Sequence, residues 1–150
     1  MKRAAIAICC ALASVPCLAG DWGLAGSMDG YEQFVDYSSI EKMGHVRGAW
    51  LLSVFNHDSN GDAYSMTWVE CDCYRSMYRG LEYAFYNKEG ALSVSGRRSG
   101  QWAPIRPGGL DDSTCRAVCS KTPEILFPSA TPRWLATKIR DTFVANGVWK

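Results

Sequence analysis

From about residue 20 onward, apolar side chains mostly alternate with polar ones instead of recurring at helical spacing, the pattern of strands that turn one face toward a core. Trp22 and Leu24 open a first strand, Met28-Asp29-Gly30 turns it, and residues 31–35 form a second. Residues 36–40 read as a polar turn or a single helical turn ahead of Gly44. In a long third strand Val46, Gly48, Trp50, Leu52 and Val54 share one face, while Leu51, Ser53 and Phe55 share the other, which predicts partial cover on both sides. The segment 56–62 is a dense turn signal in which Asn60-Gly61 suits positions of positive φ. Residues 64–74 and 80–86 then return as strands, and a Lys88-Glu89-Gly90 turn leads into a sixth over 91–97. No internal repeat or low-complexity tract interrupts the sequence.

Two segments depart from alternation. Asp111-Asp112-Ser113 supplies N-cap residues for a short helix carrying Cys115, Val118 and Cys119. Farther on, Thr131 and Pro132 place an N-cap and an N1 proline before residues 134–146, and Gly147 follows as a terminator. Leu135, Ile139 and Phe143 are spaced by four on one face of that helix, with Lys138, Arg140 and Asp141 off it, so the stripe is expected to pack on the sheet. The fold class predicted is α+β: an antiparallel meander of about six strands with one short and one C-terminal amphipathic helix.

Composition adds bounds. At 150 residues, 47% apolar and 21% charged with a net charge of +1, the chain has the length and core material of one domain. The high apolar fraction excludes disorder as its main state, and the balanced charge argues against a general nucleic-acid binder. Seven cysteines are many for a cytosolic protein of this size, and an odd number calls for an explanation.

The N-terminus supplies one. Lys2 and Arg3 precede an uncharged apolar stretch from Ala4 to Ala13, and small residues follow up to Asp21, the layout of a secretory signal peptide over 1–20. The apolar run is shorter than the roughly 18–20 residues of a membrane span. Cleavage after Ala19 or Gly20 removes Cys9, Cys10 and Cys17 and turns the net charge to −1. Lipidation of Cys17 is not expected, because Pro16 precedes it and Ser14 stands where a leucine-like residue is favoured. Four cysteines remain in an exported chain, an even set that reads first as a disulfide framework.

Cys71 and Cys73 share one face of a predicted strand, roughly 7 Å apart, and Cys115 and Cys119 share one face of a predicted helix, about 6 Å apart along its axis. The matched spacings suit a helix laid along a strand and joined to it by two neighbouring bridges, and they admit either pairing. A first bridge closes a loop of about 45 residues, worth roughly 4 kcal/mol in the chain-entropy model, and a second mainly fixes the helix orientation. A four-thiolate metal site is disfavoured by export, and a Cys-x-x-Cys redox motif is absent from the sequence.

Other candidate chemistry is sparse. Asp58, Asn60 and Asp62 resemble the start of a calcium loop, but the glycine comes at position 4 and position 12 is Val69, so a polar hairpin turn is the simpler reading. His45 and His57 lie near turns without a nucleophile partner. Arg97, Arg98 and Arg106 flank Trp102 in a basic–aromatic patch suited to an acidic partner, or simply in solvated loops. Nothing marks a hydrolytic carboxylate pair, a phosphate loop or a nucleophile elbow, and neither an enzyme, a metal nor a cofactor is expected.

Taken in order, Trp22, Phe-Val-Asp-Tyr-Ser-Ser-Ile at 34–40 with Gly44, Ala-Trp-Leu-Leu at 49–52, and Glu-Cys-Asp-Cys at 70–73 with Arg75 and Arg79 resemble the surface-adhesin protein E family of Gram-negative bacteria. Trp-Ala-Pro-Ile-Arg-Pro at 102–107 and Ala-Val-Cys at 117–119 complete the resemblance. It implies a β-rich domain over 21–120, with 121–150 as a helical extension packed on it. The family's usual single bridge maps onto Cys73 and Cys119, which leaves Cys71 and Cys115 for a second bridge beside it. It also implies a periplasmic or surface-associated protein that binds a protein of the envelope or host matrix; the family's best-known member is an adhesin for matrix proteins, plasminogen and haem. The alternative expectation is a small-ligand or haem carrier using an aromatic groove with His45 or His57.

Overall fold

A computed structural model describes residues 19–28, 30–56, 61–120, 122–123 and 125–149. The leader expected over 1–20 lies almost wholly outside the described residues, as do His57, Asp58 and Asn60. In chain order the strands are β1 (Gly20–Met28), β2 (Tyr31–Asp36), β3 (Glu41–Met43), β4 (Val46–Phe55), β5 (Asp62–Asp72), β6 (Met77–Asn87), β7 (Leu92–Arg97), β8 (Ala103–Pro104) and β9 (Leu126–Ala130). The helices are α1 (Leu110–Ser120) and α2 (Pro132–Ala145), and a 3-10 turn spans Tyr37–Ser39.

All strand pairs are antiparallel, in the order β7-β6-β5-β4-β2-β1-β9, with β3 beside β4 and β8 beside β6. The six alternating segments form the meander. The three additions, β3, β8 and β9, are two to five residues long and rich in charge or proline, too short to show a period.

Two-residue alternation sends the sheet's apolar residues to two separate cores. On one face Trp22, Phe34, Leu52, Val54 and Tyr64 meet Leu135 and Ala136 of α2. On the other, Val35, Ala49, Leu51, Val69 and Cys71 meet Cys115 and Val118 of α1. The central strand β4 therefore has cover on both sides. The α2 stripe enters the first core as its spacing predicts: Leu135 is fully buried, and Ile139 and Phe143 pack partly buried beside it. Thr131 caps this helix by accepting from the Trp134 N–H at 3.2 Å. At its far end Gly147 takes φ +67°, and the chain turns back so that Trp149 stacks on Phe143 at 4.7 Å and is buried.

The short helix begins earlier than its cap residues suggest. Asp111 and Asp112 lie inside the first turn of α1, where their carboxylates accept from the preceding loop, from Arg106 N–H at 3.2 Å and Gly108 N–H at 2.8 Å. Acidic side chains there also complement the helix dipole. A polar chain ties α1 to the sheet: the Thr114 hydroxyl donates to Gln33 Oε1 at 3.0 Å, and Gln33 Nε2 faces Ser53 Oγ at 3.5 Å, all three residues being buried.

Leu135→Ala should lower stability by about 2–5 kcal/mol in urea unfolding, because it empties a fully buried site, whereas Val144→Ala on the exposed side of α2 should change it by less than about 0.5 kcal/mol. Buried Glu32 supplies a pH test. Burial raises its pKa above the ordinary value, partly offset by the Ser27 hydroxyl, which donates to Oε1 at 2.6 Å. Folding therefore favours the neutral acid, and stability is lost as pH rises from the unfolded value, about 4.3, through the higher folded one. Glu32→Gln should raise the urea midpoint at pH 7 and leave it nearly unchanged near pH 3; an equal gain at both would show that charge is not the cause.

Candidate functional site

The end of β5 sets up the stapled corner. Cys71 and Cys73 share a strand face, and they bridge to Cys115 and Cys119 of α1: Cys71–Cys115 with Cα atoms 5.5 Å apart and Cys73–Cys119 at 5.8 Å. The intervening Asp72 points the other way and folds the β5–β6 turn, accepting from Tyr74 N–H at 3.0 Å and Arg75 N–H at 2.9 Å. Burial works to raise its pKa, but those two N–H groups and the charges of His45 and Arg75 together hold it below the ordinary aspartate value. His45 is 60% exposed, with Nε2 3.7 Å from Asp72 Oδ2 and its ring 6.3 Å from that of Tyr74. Arg47, on the neighbouring strand opposite Cys71, donates to the carbonyls of Val118 and Cys119. A cation thus meets the orphan carbonyls and negative dipole end of α1 beside the bridges.

The two bridges differ in access. Cys71 is fully buried and Cys115 is 5% exposed, whereas Cys73 is exposed and Cys119 half-buried.

The sheet face that α2 covers also carries a row of aromatic and charged side chains, running from Trp50 beside that core outward to β7. Trp50 lies opposite Trp68, Trp68 opposite Glu82, and Glu82 opposite Arg97, one row across four strands. The two indoles meet edge to face at 5.5 Å, and Gly48 leaves the room: a Cβ there would stand 2.5 Å from Trp68 Cζ2. In the next row Glu70 faces Arg79, whose Nη2 and Nε lie 2.6 and 2.7 Å from Oε2 of that buried carboxylate. Arg79 then reaches the loop after β7, donating to Gly100 O at 3.3 Å and lying 4.4 Å from the Trp102 ring.

The four residues of the basic–aromatic patch separate accordingly. Trp102 takes its cation from Arg79. Arg97 pairs with Glu82 at 3.0 Å. Arg98 sits on the opposite sheet face, its guanidinium 5.5 Å from the Tyr83 ring, and Arg106 is exposed ahead of α1. Both Arg79 and Arg47 escape a reading of local clusters. The first was detectable as a charge equidistant with Glu70 from the hairpin turn; the second depends on where α1 ends, which local spacing does not show.

Among the described residues no group of three or more His, Cys, Asp or Glu side chains stands together to hold a metal, and no helix is long and apolar enough to cross a membrane. Val69, the twelfth position of the calcium-like loop, is a buried core residue. A cavity of about 130 Å³ lies between α2 and β5 among Ala63, Tyr64, Ala136, Thr137, Arg140 and Asp141, and a wider hollow of about 350 Å³ opens beside β9 among Pro128, Ser129, Ala130, Thr131 and Trp134. What the surface offers is an extended rim of aromatic rings, arginines and paired carboxylates.

A stapled two-core sheet of this kind, with a folded loop carrying Trp102 against it, agrees with the order of motifs along the chain. The profile described as Surface-adhesin protein E matches residues 22–120, and the chain belongs to that family. Among solved structures, crystal form II of Haemophilus influenzae protein E is similar over 65% of this chain and 92% of that one, at 11% identity and a TM-score of 0.45. No curated protein matches in sequence.

Native-state reduction with a dithiol followed by alkylation should label Cys73 and Cys119 first, with Cys71 and Cys115 labelled only as the chain unfolds globally. Simultaneous labelling of all four would show that burial does not separate the bridges.

Proposed function

We propose that this chain is an adhesin-like envelope protein whose work is to bind a protein partner of the envelope or host matrix, not to catalyse a reaction. The carrying observation is family membership over residues 22–120, which takes in eight of the nine strands and α1. Surface chemistry supports the reading: the half-buried indoles of Trp68 and Trp102 and the guanidinium groups of Arg79 and Arg97 lie on one face of the sheet, with Arg98 exposed on the other, and these residue types dominate protein interfaces. In this reading Arg97, Arg98, Trp102 and Arg106 are contact residues, residues 1–20 direct export and are removed, and 121–150 stays with the main domain. Periplasm or cell surface is the compartment, where the two bridges persist.

Immobilised chain should retain a partner from envelope or host-matrix extracts, and the Arg97→Gln/Arg98→Glu/Arg106→Glu variant, which avoids a like charge opposite Glu82, should lose most of it with little change in thermal midpoint. Retention of nothing by the unmodified chain contradicts the reading; equal retention by the variant moves the contact away from these arginines.

A further inference from the structure

The sheet ends in two edges that differ in how they meet another strand. At the β9 edge, Pro128 removes a donor in mid-strand and Ser129 takes φ +53°, so no regular ladder can continue outward. At the β7 edge the sequence Leu-Ser-Val-Ser-Gly-Arg holds neither proline nor lysine, and Leu92 and Val94 are 56% and 48% exposed. Among the described residues no strand pairs with its outer side.

The direction of each backbone group follows from one hydrogen bond. Arg98 N–H donates inward to Leu81 O at 2.8 Å. Antiparallel ladders alternate, so with Tyr83 opposite Gly96 and Phe85 opposite Val94, those two residues also turn their backbone groups inward. Ser95 and Arg97 therefore turn N–H and C=O outward. The bulge between Phe85 and Tyr86 takes Ser93 out of register, which confines the usable edge to Val94–Arg97. Around it lie the exposed aliphatic Val94 at one end, and at the other Arg97, whose side chain is 84% exposed, and the exposed Arg98.

We propose that the outer edge of β7 accepts an extended segment of a partner protein as an added antiparallel strand, with an aliphatic residue beside Val94 and acidic residues beside Arg97 and Arg98. This rests on the partner-binding reading and narrows the partner to a protein offering an acidic, extended stretch. Main-chain bonds to Ser95 and Arg97 hold the strand, Val94 gives it an apolar contact, and the two cations set its direction. An antiparallel strand places its acidic residues toward its N-terminal end.

The probe is a fluorescein-labelled, N-acetylated and C-amidated peptide of two aspartates followed by alternating valine and threonine, titrated by anisotropy against the mature chain. Saturable binding is expected. Ser95→Pro removes an outward donor and leaves the β6–β7 ladder intact, so it should weaken binding about tenfold with an unchanged thermal midpoint. Val94→Lys, a substitution of the kind that blunts natural edges, should weaken it likewise, and so should replacing the probe's aspartates with lysines. Absence of saturable binding, or full affinity for both variants, overturns the proposal. So does a wild-type dimer in sedimentation that Ser95→Pro dissociates, since a second copy would then own the edge. In the pull-down, a Ser95→Pro chain that keeps its partner overturns the edge alone, whereas an unmodified chain that captures nothing overturns the binding reading itself.

Discussion

Burial of the β4–β5 pair on both faces is the constraint from which the rest of the structure follows. A sheet with a core on one side can place its register by hydrophobicity alone, because a one-residue slip exposes every apolar side chain. That safeguard is weaker in β4, where Trp50, Leu52 and Val54 alternate with Ala49 and Leu51 and both sets are covered. Steric detail does the remaining selection. Gly48 must lie under the Trp68 ring, and Ala49 must lie opposite Val69 beneath α1. A slipped register would put a methyl group into the indole and direct Cys71, and Cys73 just past the end of β5, away from α1. The bridges thus lock a register that packing alone specifies only in part.

The same geometry explains why stability and surface chemistry are separated in space. α1 is held by two covalent bonds, by the buried Thr114–Gln33–Ser53 chain and by Arg47 at its C-terminal carbonyls. α2 and the returning Trp149 cover the opposite face at its other end. What neither helix reaches is the side of the sheet toward β7, where Trp68 and Trp102 stand with Arg79 and Arg97. That margin is where the contact surface proposed above lies.

Much of this was legible in the sequence, for reasons that can be named. Segments of six residues or more show their period, so the six main strands and α2, with its Thr131 cap and Gly147 stop, stand out. The paired spacings of the cysteines indicate a strand laid against a helix. Elements below that length carry no period: β3 holds only Glu-Lys-Met, and β9 has Pro128 in its middle. Long-range partners are hidden for a different reason. Trp102 has arginines near it in sequence, yet Arg79 reaches it, because Glu70 across the hairpin aims that guanidinium at the loop. The patch residues likewise divide between sheet faces, since Arg97 and Arg98 are consecutive on an extended chain.

A doubly covered β4–β5 centre holds the fold while β7 remains an open edge. Residue-resolved amide hydrogen exchange tests it most directly. The amides of Leu52, Val54 and Val69 should exchange only through global unfolding, and those of Ser95 and Arg97 at rates close to an unprotected chain. Protection of Ser95 and Arg97 comparable to that of Val69 in the unliganded chain would contradict it.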